Sequence, residues 1–303
     1  MADWGIVAAR FLQFGPALIL FGTPLFFLYG GASQPPHTSH RLERVVTAAA
    51  LLSFAGAVWW VLAETAMIFS DPGQFTPDAI WTVLTGTGFG RAAFLRIILI
   101  AMAIIVPFVT RSPRRTPAVQ AAIGAAVVAS FAWTGHGVKD EGAAGLIHLV
   151  GDIVHLLAAA IWVGALLALV ALLIESIRQR TGARAALRGL EAFSSVGVAV
   201  VALLLLSGVV NSWFLVGPAH IKQLVTSPYG LLLDAKLLLF AAMLALAAAN
   251  RYRFTPRLGT ALAQAGSQEK PLIALRRSVV WEATLALVVL VVVSLMGTLE
   301  PPA

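Results

Sequence analysis

Cysteine is absent from the 303 residues, and only 12% of the residues are charged. Without cysteine the chain has no disulfides, thiolate metal ligands or cysteine nucleophiles, so a soft metal ion has to use histidine or methionine. A soluble domain carries about 25% charged residues, and a disordered chain is poor in apolar ones. This chain is 59% hydrophobic with a mean hydropathy of +0.88. The composition argues against a soluble enzyme and a disordered protein, and it indicates a membrane protein.

Eight stretches have the roughly 20 mostly apolar residues that a helix needs to cross a bilayer. They run over residues 6–29, 45–69, 91–110, 118–133, 145–174, 192–216, 229–250 and 278–299. We therefore predict an all-α, polytopic integral membrane protein with eight transmembrane helices, in which residues 1–303 form a single transmembrane domain. A short interfacial helix is predicted over residues 77–85.

Positive charge is concentrated in alternate connections between the spans. Most of the 21 lysines and arginines follow the first, third, fifth and seventh spans, and the other connections hold mainly Arg91, Lys139 and Lys222. Cytoplasmic loops of membrane proteins carry an excess of lysine and arginine. The distribution therefore places the arginine-rich connections in the cytoplasm and predicts that both termini face outward.

The fifth span carries ionisable residues on one face. At 100° per residue, Asp152, His155 and Trp162 lie within about 40° of His148, and His136 precedes this span in an outer loop. We expect the side chains of this face to line one cavity. Neutral imidazole is the commonest metal ligand, and a carboxylate either binds the metal or orients the imidazole. The pattern favours a metal site at His136, His148 and His155, and the alternative is hydrogen bonding between helices by buried histidines.

Other polar side chains also lie inside the spans, although a charge near the bilayer centre costs at least about 2.5–3.5 kcal/mol on insertion scales. Those in the outward halves include Glu64, Arg96, Asn211, Asp234 and Lys236, whereas Glu282 lies toward the cytoplasm. They either hold helices together or relay and gate ions. Because the second and third spans share one outer connection, we expect Glu64 to pair with Arg96.

The histidine spacing also bears on haem and on the oxidation state of a bound metal. His148 and His155 are about 10 Å apart by the helical rise, so they cannot be the two axial ligands of one haem. Met67 and Met296 lie near outward helix ends, where a thioether completes a Cu(I) site, although gap-filling packing is the alternative. A site of histidines with Asp152 suits Cu(II) or Zn(II) equally.

These residues resemble those of a known family. The run TGHG at residues 134–137, then His148, Asp152, His155 and the segment AIWVGAL, resembles the CopD family of bacterial copper-resistance and copper-homeostasis membrane proteins. The stretches TGFGRAAFLR, YGLLLDAKLLL and RRSVVWEATLALVVL extend the resemblance over nearly the whole chain.

The resemblance implies a multi-pass protein of the bacterial inner membrane that acquires copper on the periplasmic side and imports it. It implies that the copper ion binds His136, His148 and His155, and that a periplasmic copper carrier of the CopC type delivers it. In this setting the outward-facing termini are periplasmic.

Two other hypotheses stay open at this point. The chain is alternatively a membrane redox or oxidase-assembly protein that carries haem or copper, or a structural partner of a periplasmic copper protein. Neither a Walker motif nor a phosphorylatable aspartate loop is present. We therefore expect a protein that is not an enzyme and moves copper passively or along a gradient.

Overall fold

The fold was analysed in a computed structural model that describes residues 4–30, 36–69, 71–110, 112, 114–134, 142–179, 182–264 and 266–302, without the side chains of residues 36–39 and 72. These described residues form α-helices, short 3₁₀ and π-helical segments and connections, and they contain no strand. The predicted all-α class is therefore confirmed.

Ten α-helices follow one another in the described part of the chain. They are α1 (Trp4–Tyr29), α2 (Pro36–Ile68), α3 (Pro77–Gly86), α4 (Gly88–Val109), α5 (Arg115–Ala129), α6 (Gly142–Gln179), α7 (Ala183–Leu215), α8 (Pro228–Ala249), α9 (Thr255–Ala263) and α10 (Glu269–Met296). A 3₁₀ segment, Ser130–Thr134, extends α5, and a π-helical turn, Asn250–Phe254, joins α8 to α9.

Eight helical stretches of the described residues are long and apolar enough to cross a membrane, which confirms the predicted number of spans. Several helices extend beyond the apolar runs that reveal them: α6 covers 38 residues. The flanking residues are mostly good helix formers, so a helix continues after its hydrophobic part ends. The short helix predicted over residues 77–85 is present as α3, where Thr76 Oγ1 accepts a hydrogen bond from the Ala79 amide at 3.2 Å.

Helix α1 lies at the centre of the bundle and packs against α2, α5, α6 and α10. At its contact with α6, a Cβ atom on either Gly22 or Gly164 would clash with the backbone of the other helix. Thr23 Oγ1 also donates a hydrogen bond to the Gly164 carbonyl at 3.2 Å. Small residues let membrane helices approach this closely, so the glycine pair fixes the position of α6 in the bundle.

Two apolar clusters flank this contact. One is built mainly on α6, α7 and α10, around Leu169 and Leu275, and the other mainly on α1, α4 and α5, around Leu20 and Ile100. Both α1 and α6 contribute to each cluster. Helix α6 is thereby packed against both α1 and α7.

Candidate functional site

Polar and aromatic side chains join α6 to α7 in three steps. His155 Nδ1 lies 3.0 Å from the Ser207 hydroxyl, and the Asn211 amide donates to Asp152 Oδ1 at 3.3 Å. One turn further, the His148 ring stacks on Phe214, with ring centroids 4.7 Å apart and an interplanar angle of 5°. We call these three pairs of residues the α6–α7 ladder.

The ladder follows from the periodicity of two antiparallel helices. Its members recur every three or four residues on both helices, so each set forms one stripe along its helix. Asp152 and His155 were predicted to share a face with His148, and the structure confirms that all three face α7. The sequence gives only a weak indication of the partners on α7. They stand out there as a serine and an asparagine inside an otherwise apolar span.

The hydrogen bonds around Ser207 favour one tautomer of His155. The single hydroxyl hydrogen of Ser207 is assigned to the Leu203 carbonyl, 2.5 Å away. With that assignment His155 Nδ1 is the donor toward Ser207. Nε2 then retains its lone pair. A neutral imidazole that donates from one nitrogen is the form in which histidine binds metals.

Helix α8 adds a cation and a phenol to this region. Lys236 interacts electrostatically with both Asp152 and His155, and Asp152 also interacts with His148 and with Tyr229 at the start of α8. Asp234 is two residues from Lys236, which places it on a different face of α8. A positive ion that reaches the ladder thus meets one carboxylate and one competing lysine.

The ligand set within the described residues is incomplete. His136 lies outside them, and the part of the chain that the structure describes holds no group of three or more His, Cys, Asp or Glu side chains that could bind one metal ion. His148, Asp152 and His155 instead follow one another along α6. The described residues therefore place these predicted ligands one after another along the helix rather than around one point.

Trp162 does not share the surroundings of the histidines. Its Nε1 donates to Glu282 Oε1 at 2.7 Å, and the Asn250 amide donates to Glu282 Oε2 at 3.0 Å. The cavity that Trp162 lines includes neither His148 nor His155. The expectation of one common cavity is therefore not met, because Trp162 lies two turns beyond His155 along α6, where its indole reaches Glu282 on α10.

Arg96 is fully buried and joins α4 to the end of α5. Its Nε donates to Ser130 Oγ at 2.8 Å, and its Nη2 donates to the Ser130 carbonyl at 2.9 Å and to Thr134 Oγ1 at 3.2 Å. The guanidinium carbon lies 4.1 Å from the centroid of the Phe131 ring. The oxygen atoms at the end of α5 favour a cation, since a helix carries partial negative charge at its C-terminus.

The predicted pairing of Glu64 with Arg96 is therefore wrong. Glu64 accepts a hydrogen bond from Trp60 Nε1 at 3.0 Å and interacts electrostatically with Arg10. Arg10 also lies over the Trp60 ring, 4.9 Å from its centroid. A shared connection brings α2 and α4 together, but the rotation of each helix about its axis decides which side chains meet.

The two methionines differ in their surroundings. Met67 is 55% exposed on α2, whereas Met296 is buried in an apolar cluster with Val216, Tyr229 and Leu233. Of the two roles considered for the methionines, apolar packing rather than metal binding is the one that fits the surroundings of Met296.

The fold and the ladder define a class: a polytopic, all-α membrane protein with histidines and a carboxylate directed into its helix bundle. Residues 1–146 match the family described as copper resistance protein D-like, N-terminal domain, and residues 187–296 match copper resistance protein D.

Two curated proteins are similar over nearly their whole length. Copper resistance protein D of Pseudomonas syringae pv. tomato is 33% identical over 99% of this chain and 98% of its own. Inner membrane protein YebZ of Escherichia coli K12 is 31% identical over 97% of this chain and 98% of its own. No solved structure matches. The chain belongs to the copper resistance protein D family, as its residues predicted.

Proposed function

We propose that this protein lies in the bacterial inner membrane, acquires copper on the periplasmic side and imports it. The observation that carries the proposal is the α6–α7 ladder, in which His155 contacts Ser207 through Nδ1, so that Nε2 is the nitrogen we assign to the metal. Membership in a copper-resistance family supports copper as the ion. The inner-membrane name of the relative YebZ supports the location.

In this proposal the ion meets its ligands in sequence. His136 and His148 take up copper near the outer end of α6, and Asp152 and His155 receive it one and two turns further inward. Since the histidines are about 10 Å apart along the helix, transfer from one to the next moves the ion into the membrane. Lys236 opposes the cation beside Asp152, so it sets a barrier to passage.

The donor in this proposal is a soluble periplasmic carrier of the CopC type. Arg96 positions the entry to the site in this proposal, because it holds the Ser130–Thr134 segment, which ends two residues before His136 in the sequence. Histidine and carboxylate ligands are sufficient to bind Cu(II), whereas a thioether ligand close by would favour Cu(I). In this proposal copper is the ion that the protein transports, not a cofactor that it retains.

Copper binding to purified variants tests the proposal. We expect His155→Ala and His148→Ala each to lower the copper bound per chain and to lower copper accumulation in cells. The matched control is His40→Ala, because His40 is an exposed histidine that contacts Glu43 rather than the ladder. Unchanged binding and accumulation in both ladder variants would refute the assignment.

A visible absorption spectrum separates copper import from the redox alternative. We expect the purified protein to lack an intense Soret band. A Soret band that disappears with His148→Ala or His155→Ala would instead support a haem protein.

A further inference from the structure

A second polar site lies deeper in the bundle than the ladder. A cavity of about 280 Å³, open on one side, is lined by α6, α7, α8, the π-helical turn, the start of α9 and α10. Its wall is largely apolar, and its buried polar groups converge at Trp162, Asn250 and Glu282. The cavity adjoins the first half of α7, so it lies in the half of the bundle that the arginine distribution predicts to be cytoplasmic.

The carboxyl group of Glu282 has neutral partners. It is 1% exposed, and its oxygens accept hydrogen bonds from Trp162 Nε1 at 2.7 Å and Asn250 Nδ2 at 3.0 Å. No lysine, arginine or histidine of the described residues forms an ion pair with it. A buried carboxylate without a cation costs several kcal/mol, so such a group is kept neutral by a proton or holds a positive ion.

Charged groups approach Glu282 only at a distance. The π-helical turn contributes Arg251 and Tyr252 to the cavity wall, but Arg251 donates to the Ser194 carbonyl at 2.5 Å. On α10 itself, Arg276 and Arg277 lie more than one turn away and are exposed. The groups that α6, α7 and α8 place on the cavity wall are uncharged. On α1, Arg10 is near Gly297 at the opposite end of α10.

An unpartnered oxygen lies beside this carboxyl group. Asn250 Oδ1 is buried without a hydrogen-bond partner, in a residue that is 8% exposed. It can accept a hydrogen bond from a protonated carboxyl group or from a water molecule. Ser278 Oγ, one turn before Glu282 on α10, is also unpartnered, but Ser278 lines a different cavity, together with Arg277 and Trp281.

The carboxamide of Asn250 suits both protonation states of Glu282. Its Nδ2 donates to a charged carboxylate, and a half-turn of the amide presents Oδ1 to the hydrogen of a neutral carboxyl group. Asn250 is also the first residue of the π-helical turn. Such turns interrupt the α-helical hydrogen-bond pattern and occur frequently at functional sites.

We propose that Glu282 is a proton-binding site inside the membrane that exchanges its proton with the predicted cytoplasmic side through the cavity. The carboxyl O–H bond breaks, the proton passes to a water molecule in the cavity, and the carboxylate remains on Trp162 and Asn250. Uptake reverses these steps. This site is separate from the copper ligands, and its test needs no copper.

Infrared spectroscopy of the full-length protein in nanodiscs, without copper, tests the proposal. We expect a C=O band of a protonated carboxyl group that fades as the pH is raised, and this band should be missing in Glu282→Gln. Glu175→Gln is the matched control, because Glu175 is ion-paired with Arg41 at 2.7 Å. Asp152→Asn tests whether the band comes from the carboxyl group of the α6–α7 ladder instead. A titrating band that survives in Glu282→Gln, or that is lost only in Asp152→Asn, would overturn the proposal.

Three further measurements keep the test decisive. In Asn250→Leu the charged carboxylate loses a donor, so the midpoint of the band should move to higher pH, and an unchanged midpoint contradicts the role of Asn250. If Glu282→Gln does not fold, Glu282→Asp should shift the band and its midpoint, and an unaltered band would overturn the proposal. Replacing sodium and potassium by a large organic cation should leave the midpoint unchanged. A midpoint that follows the alkali ion concentration would assign the site to a metal cation instead.

Discussion

Replacing Ser207 with alanine isolates the effect of imidazole orientation on copper binding. The substitution removes the acceptor 3.0 Å from His155 Nδ1 and leaves every proposed ligand in place. Removing a residue that orients a metal ligand lowers metal affinity by about 10- to 100-fold. Because the packing of α6 against α7 still holds the ring in place, we expect the lower end, about tenfold, which corresponds to roughly 1.4 kcal/mol.

The matched control for this prediction is Ser294→Ala. Ser294 is a fully buried serine whose hydroxyl donates to the Leu290 carbonyl at 2.8 Å, as Ser207 does to Leu203. Both substitutions therefore remove a similar bond to a carbonyl that the helix already satisfies, and each should cost no more than about 1 kcal/mol of stability. Only Ser207 contacts a histidine.

The assay is a competition titration of copper against a chelator of known affinity, with purified protein in detergent. We expect Ser207→Ala to bind copper about tenfold more weakly than the wild type and Ser294→Ala to match the wild type. Equal affinities for the two variants would refute the inference that Ser207 sets the tautomer of a copper ligand.

Two further predictions concern the structure that supports the site. Arg96→Met leaves buried oxygens at the end of α5 without donors and should lower the free energy of unfolding by about 1–3 kcal/mol. Arg91→Met, an exposed arginine on the same helix, should change it by less than about 0.5 kcal/mol, and equal thermal midpoints in detergent would contradict the role of Arg96. Gly164→Val should destabilise the protein by at least about 1–3 kcal/mol, because its side chain meets the backbone at Gly22. Gly197→Val, at an open position on α7, is its control, and comparable melting curves would contradict the close contact of α1 with α6.

The sequence by itself determined the class, the number of spans and the stripe on α6. Hydrophobic run length fixes how many helices cross a bilayer, since the hydrocarbon has one thickness. The period of 3.6 residues places His148, Asp152 and His155 on one face without any knowledge of the neighbouring helix. Both inferences depend on local geometry, which the order of residues encodes directly.

Tertiary structure alone decided which groups meet across helices. Glu64 and Arg96 lie on helices joined through one connection, yet Arg96 bonds to Ser130 and Glu64 to Trp60. Trp162 follows the histidine stripe in sequence, yet it donates to Glu282, 120 residues away. Such pairings depend on how each helix is rotated about its axis and on where glycines such as Gly164 allow close approach. Those quantities arise from packing the whole bundle, so they are not encoded in any single segment.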